Sequence, residues 1–137
     1  MTYVFDSSFV AALIIPDENS QKIDKFLSDI KETEDIFVPQ LLWYEIANIF
    51  KNLLRRKRYT YDELLNFFPK LTAIRLTTDS IPGSAYTEKL LRLSNDYDLS
   101  AYDAAYLELA GRKKALLATL DEDLHEAAAK SGIKLLK

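Results

Sequence analysis

Tyr3-Val4-Phe5-Asp6-Ser7-Ser8 opens the chain with a short β-prone run, one carboxylate and two hydroxyls. Three apolar residues without polar alternation read as a strand buried on both faces, as in a parallel sheet. Asp6 stands where that strand ends. Ser7 or Ser8 is placed to cap a short helix through Phe9, Val10, Leu13 and Ile14, which Pro16 stops. The unit recurs. Ile36-Phe37-Val38 is a second apolar run, Pro39 follows it, and a long helix is expected from about Gln40 to Arg55, with Leu42, Ile46, Ile49, Phe50 and Leu53 on its apolar face.

Between and beyond these units the same alternation holds. Asn19 or Ser20 opens a helix with Ile23, Phe26, Leu27 and Ile30 at amphipathic spacing. Thr60 and Glu63 stand at capping-box spacing before a helix faced by Leu64, Leu65, Phe67 and Phe68. Ala73-Ile74-Arg75-Leu76-Thr77 alternates as a strand does. A helix follows over Ser84–Ser94, then a turn at Asn95-Asp96-Tyr97-Asp98. Ser100 caps a helix from Ala101 to Arg112. Ala115-Leu116-Leu117-Ala118-Thr119 reads as a strand, Asp121 begins a helix ending at Gly132, and Ile133-Lys134-Leu135-Leu136 reads as a terminal strand. Strands alternating with helices define an α/β class: a single domain over 1–137, with a central, mainly parallel sheet of four to five strands flanked by helices.

The 137 residues suit one compact domain, with 48% hydrophobic and 28% charged side chains. There is no cysteine, which excludes disulfides and thiolate metal sites and suits a reducing compartment. The first residues carry no basic segment followed by an apolar one. No apolar run reaches the roughly 18 to 20 residues of a membrane span. A cytoplasmic protein with no membrane partner is expected. The net charge of −3 disfavours a passive nucleic-acid binder, which carries a basic excess, but not a nuclease that holds a divalent cation.

Three acids stand out by position. Asp6 and Asp121 each follow a strand, and Asp103 lies in the first turn of the helix that Ser100 caps. Ligands of open parallel sheets bind at the carboxyl ends of strands. Carboxylates that converge there repel one another unless a positive group joins them, and a hard cation such as Mg²⁺ answers that need with oxygen ligands. Glu45 is a fourth acid, set among Leu41, Leu42, Trp43 and Ile46, and a carboxylate in such surroundings needs a partner.

The segments Val4-Phe5-Asp6-Ser7-Ser8, Pro39-Gln40-Leu41-Leu42-Trp43-Tyr44-Glu45-Ile46-Ala47-Asn48, Ser100-Ala101-Tyr102-Asp103-Ala104-Ala105-Tyr106 and Thr119-Leu120-Asp121-Glu122-Asp123-Leu124 together resemble PIN-domain ribonucleases, and most of all the VapC-type toxins of type II toxin–antitoxin pairs. The resemblance runs from Asp6 to the C-terminal strand. It implies that Asp6, Glu45, Asp103 and Asp121 are the catalytic, metal-binding acids, with Thr119, Asp123 and Ser8 in support. It implies a Mg²⁺- or Mn²⁺-dependent endoribonuclease acting on RNA, a homodimer, and a cognate antitoxin protein. The apolar helices that carry Phe26, Phe50 and Phe68 offer surfaces for that partner.

Plainer readings stand beside these. Asp6 and Asp121 suit helix N-caps, Asp103 a dipole-favoured surface position and Glu45 a solvent-facing helix position or a salt bridge. Arg55-Arg56-Lys57-Arg58 suits a solvated helix end as well as RNA phosphates. Tyr102 and Tyr106, at i,i+4 spacing, suit mutual packing as well as base stacking. Trp43 suits the core or an interface, and His125 an ordinary surface. The rival functions are a catalytically silent PIN-fold module that binds RNA or protein, and a phosphoaspartyl enzyme using Asp6. The second would want an acid at position 8, where the chain has Ser8.

Overall fold

Strand β1 (Thr2–Phe5) lies inside a four-stranded sheet with β2 (Asp35–Pro39), β3 (Leu76–Asp79) and β4 (Leu116–Ala118), in the order β3-β2-β1-β4. All three pairings are parallel; Val4 stands opposite Phe37 on one side and Leu117 on the other. The computed structural model describes residues 1–16 and 21–136. Helices α1 (Ser7–Ile14) and α2 (Gln21–Asp29) follow β1, and α3 (Leu41–Arg55), α4 (Tyr61–Leu65) and α5 (Phe68–Ala73) follow β2. Helices α6 (Ser84–Tyr97) and α7 (Ala101–Lys113) lead from β3 to β4, and α8 (Glu122–Ser131) follows β4. The chain steps outward from β1 to β3, then returns to the far side of β1. That reversal puts the switch point between β1 and β4.

Packing explains the apolar runs. Val4, Phe5, Val38 and Leu117 are fully buried, as strands covered on both faces require. Helix α7 buries every residue from Ala104 to Ala110, and alanines at 104, 105 and 110 let its backbone approach the sheet. Leu13, Leu42, Leu109 and Leu124 complete the core; truncating any one to alanine costs about 2–5 kcal/mol.

Several boundaries differ from those expected. Asp6, not Ser7 or Ser8, caps α1, accepting from the Phe9 amide. The Thr60–Glu63 capping box forms, but the helix stops at Leu65 and α5 restarts at Phe68, with Pro69 in its first turn, where a missing N–H costs nothing. That restart carries helix to Ala73, so the strand expected over 73–77 is displaced to Leu76–Asp79. Helix α6 absorbs most of the expected turn and ends on Asp98 in the left-handed region (φ 52°). The terminal strand reduces to one parallel bridge between Leu117 and Leu135. The helix start expected at Asn19 or Ser20 lies outside the described residues; α2 is described from Gln21.

Candidate active site

Asp6 is 4% exposed at the end of β1, and its backbone amide donates to Ala118 at the end of β4 (3.1 Å). The strand pairing thus delivers Asp6 to the switch point. Its Oδ1 accepts from the Phe9 amide (2.9 Å) and the Ser8 hydroxyl (2.7 Å), and its Oδ2 accepts from the Thr119 hydroxyl. Thr119 also accepts from the Asp121 amide (3.0 Å), and Ser8 accepts from the Leu120 amide (2.9 Å). Ser8 and Thr119 therefore stitch the β1–α1 junction to the β4–α8 junction. Burial pushes the Asp6 carboxyl above its ordinary range, and the nearby Asp121 charge adds to that, against the three donors.

Asp121 caps α8 through Oδ1, which accepts from the Leu124 amide (3.0 Å). The plain N-cap reading is thus correct for both Asp6 and Asp121, and it does not compete with a site role. A cap occupies part of a carboxylate and fixes where the rest points.

Glu45 projects from the second turn of α3, half-buried, with Oε1 accepting from the Tyr106 hydroxyl at 2.5 Å and Ser7 beside it. Burial raises its carboxyl, and Asp6 adds to the rise, while Tyr106 and Ser7 hold it down. Asp103 occupies the third position of α7, where its amide donates to the Ser100 hydroxyl (3.1 Å). Its carboxylate has no hydrogen-bond donor or cation among the described residues. Half-buried, and facing the charges of Asp121, Glu45, Asp6 and Asp123, it is pushed up to about 6. One carboxyl thus feels all the other acids expected at the site, Asp123 the most weakly.

The set is open. Among the described residues, no three acidic or histidine side chains already close on one point as a metal cage does. The donor chemistry nonetheless fits a hard divalent cation, which takes oxygen ligands and, for Mg²⁺, keeps several waters and only one or two carboxylates. Mutual repulsion strong enough to shift Asp103 is what such a cation relieves.

The two tyrosines at i,i+4 spacing have different surroundings. Tyr102 is 66% exposed, whereas Tyr106 is 1% exposed and aims its hydroxyl at Glu45. Tyr106 lies three residues after Asp103, hence on its helix face, and that spacing was the available signal. Trp43 is half-buried, with its indole N–H on Thr78 (2.9 Å). His125 is exposed, as is the basic run from Arg55 to Arg58. Also unforeseen was a buried ion network away from the acids. Glu108, 4% exposed, accepts from Lys89 (3.0 Å) and Arg112 (2.8 Å), and Arg112 grips Asp79 with both terminal nitrogens.

A family model for the PIN domain matches residues 3–130. The chain belongs to the PIN-domain family. This PIN-domain chain is 31% identical over 129 residues to Ribonuclease VapC3 of Pyrobaculum aerophilum, covering 92% of the chain and 94% of that protein. Among solved structures, one from Pyrobaculum aerophilum superposes with a TM-score of 0.70 at 23% identity, over 93% of this chain and 79% of that one. A toxin–antitoxin complex from Klebsiella pneumoniae gives 0.58 at 18% identity over 88% of each chain. FitAcB from Neisseria gonorrhoeae gives 0.58 at 13% identity over 98% and 96%. At these identities the superpositions establish the fold, a PIN domain with a parallel four-stranded sheet flanked by helices. No helix among the described residues is long and apolar enough to cross a membrane.

Proposed function

We propose that the protein is a Mg²⁺- or Mn²⁺-dependent endoribonuclease, the toxin of a toxin–antitoxin pair, built as one PIN domain over 1–137 and working in the cytoplasm as a homodimer. The observation that carries the reading is Asp103, a half-buried carboxylate without a donor among the described residues, pushed up to about 6 by burial and by Asp121, Glu45, Asp6 and Asp123. The likeness to Ribonuclease VapC3 supports the same reading. The silent-module alternative is disfavoured by the presence of all four acids.

In this mechanism Asp6, Glu45, Asp103 and Asp121 would hold the cation, which when bound supplies an acidified water and charge stabilisation for the phosphate. Asp6 is the rigid member, anchored through three donors with part of its carboxylate left over. Thr119 and Ser8 keep Asp6 and the α8 N-terminus in register. Asp123, exposed on the first turn of α8, extends the acidic edge. The antitoxin finds its apolar surface on α3–α5 rather than on all three phenylalanines named from the sequence. Phe68 is 43% exposed beside Tyr61 and Leu65, over a cleft of about 230 Å³ that the largely buried Phe50 also lines, while Phe26 packs on Tyr3, Phe5 and Phe9.

The test is incubation of purified protein, freed of any co-purifying partner, with total cellular RNA in Mg²⁺, Mn²⁺ or EDTA, beside Asp6→Asn and Asp103→Asn. Metal-dependent cutting that both variants lose supports the proposal. Cutting that survives either substitution, or persists in EDTA, sinks the assignment of the site. Absence of cutting together with absence of Mn²⁺ binding moves the protein to the silent-module class.

A further inference from the structure

Tyr106 is the largest fully buried side chain among the described residues, yet it ends in a polar atom. Burying a hydroxyl is costly unless it is satisfied, and a hydrogen bond to an ionised acceptor is among the stronger ways of satisfying it. Here the acceptor is Glu45 Oε1 at 2.5 Å, sixty-one residues away on another helix. Ser7, from the first turn of α1, lies beside both partners. Three helices therefore meet at one carboxylate: α1 through Ser7, α3 through Glu45 and α7 through Tyr106.

The geometry has a definite effect on Glu45. A glutamate on a helix has three side-chain torsions and would ordinarily sweep a wide arc. Tyr106 cannot follow it, because its ring is packed in the core. One oxygen of Glu45 is thus committed, and the carboxylate stands near enough to Asp6 and Asp103 for their charges to act on one another. Neither Ser8 nor Thr119 performs this service; their hydroxyls serve Asp6.

We propose that Tyr106 is the positioning residue for Glu45, fixing one carboxylate oxygen so that the other is presented to the divalent cation. This rests on the metal-dependent reading above, and it assigns Tyr106 a task outside the acidic set. It also separates Tyr106 from Tyr102, whose exposed ring touches none of this.

The experiment uses the metal-free full chain as wild type, Tyr106→Phe, Glu45→Gln and the double variant. Phenylalanine keeps the ring in its core site and deletes only the hydroxyl. Mn²⁺ affinity is measured by titration calorimetry, and melting temperature beside it. Loss of a partner that orients a ligand weakens metal affinity about 10- to 100-fold, so Tyr106→Phe is expected in that range. Because Tyr106 acts through Glu45, the double variant should bind no more weakly than Glu45→Gln alone. A lowered melting temperature with unchanged affinity would overturn the proposal, as would losses that multiply. If wild type binds no Mn²⁺, the metal reading fails by itself. The contact is then judged by the Glu45 side-chain carboxyl ¹³C signal, which Tyr106→Phe must shift for the positioning role to stand. If no variant folds, wild type still decides. A slowly exchanging Tyr106 hydroxyl proton with a cross-peak to the Glu45 side chain is required, and its absence refutes the placement.

Discussion

Replacing Asp103 with asparagine should make the metal-free protein more stable while destroying its proposed activity. Asp103 is raised from 3.8 to about 6, first by burial and then by Asp121, Glu45, Asp6 and Asp123. A carboxyl so displaced corresponds to roughly 3 kcal/mol of native-state penalty for the charged form. The side chain is only half-buried, so solvent screening reduces that to about 1.5 kcal/mol. Against it stands the loss of a negative charge in the first turn of α7, worth about 0.5 kcal/mol. The net expectation at pH 7.5 is a gain of about 1 kcal/mol, or roughly 3–5 °C in melting temperature for a domain of this size. The pH dependence follows from the raised pKa. Above pH 6 the carboxyl is ionised in both folded and unfolded chains, and the whole penalty is present. As pH falls through 6 the folded form takes up its proton first, and by about pH 3.8 the penalty has gone. The advantage of Asp103→Asn should therefore be full above pH 7 and vanish near pH 4. Metal reverses the order: Mn²⁺ at a hundred times its Kd adds about 2.7 kcal/mol to wild type and little to the variant. Calorimetric melts from pH 4 to 8, with and without Mn²⁺, supply the curve. A variant that is no more stable at pH 7.5, or whose gain does not change with pH, would refute the reasoning that Asp103 faces its fellow acids.

Two further outcomes follow from the hydrogen bonds. Thr119→Val deletes the hydroxyl that donates to Asp6 and accepts from the Asp121 amide; Mn²⁺ affinity should fall about tenfold or more, measured by calorimetry, with the circular-dichroism spectrum unchanged. Arg112→Met removes the partner that Glu108 shares with Asp79 and leaves a buried carboxylate on Lys89 alone; urea unfolding should show a loss of about 3–5 kcal/mol, and adding Glu108→Leu should recover most of it.

The sequence made the alternating architecture legible because the buried strands are uninterrupted apolar triplets, as at Tyr3-Val4-Phe5 and Leu116-Leu117-Ala118. Asp6, Asp103 and Asp121 were legible because each is locked to an element boundary by chain position. Glu45 stood out through its apolar neighbours Leu41, Leu42, Trp43 and Ile46, but only the resemblance to a family gave it a role, since those neighbours do not say what its carboxylate faces. The misplacement of β3 has a local cause. Ile74 and Leu76 alternate as a strand would, but Ile74 ends α5, whose start at Phe68 depends on the break after Leu65. Tyr106 and the Glu108 network were hidden for another reason. Their meaning lies in partners tens of residues away, Glu45 in one case and Asp79 and Lys89 in the other. Helical spacing shows which face a side chain occupies, but not what stands across from it.

The strand order carries a consequence for the chain as it is being made. Asp6 is complete only when Thr119 arrives to donate to it, and the two are separated by 113 positions along the polypeptide. Closing β4 onto β1 is thus among the most distant pairings in the fold, of the kind that forms late because a long loop must be closed first. A chain still emerging from the ribosome can hold Asp6 and Glu45 without a working arrangement of either. On the reading proposed above, a nuclease built in this order is inert until Thr119 and Asp121 have been added and β4 has folded back onto β1.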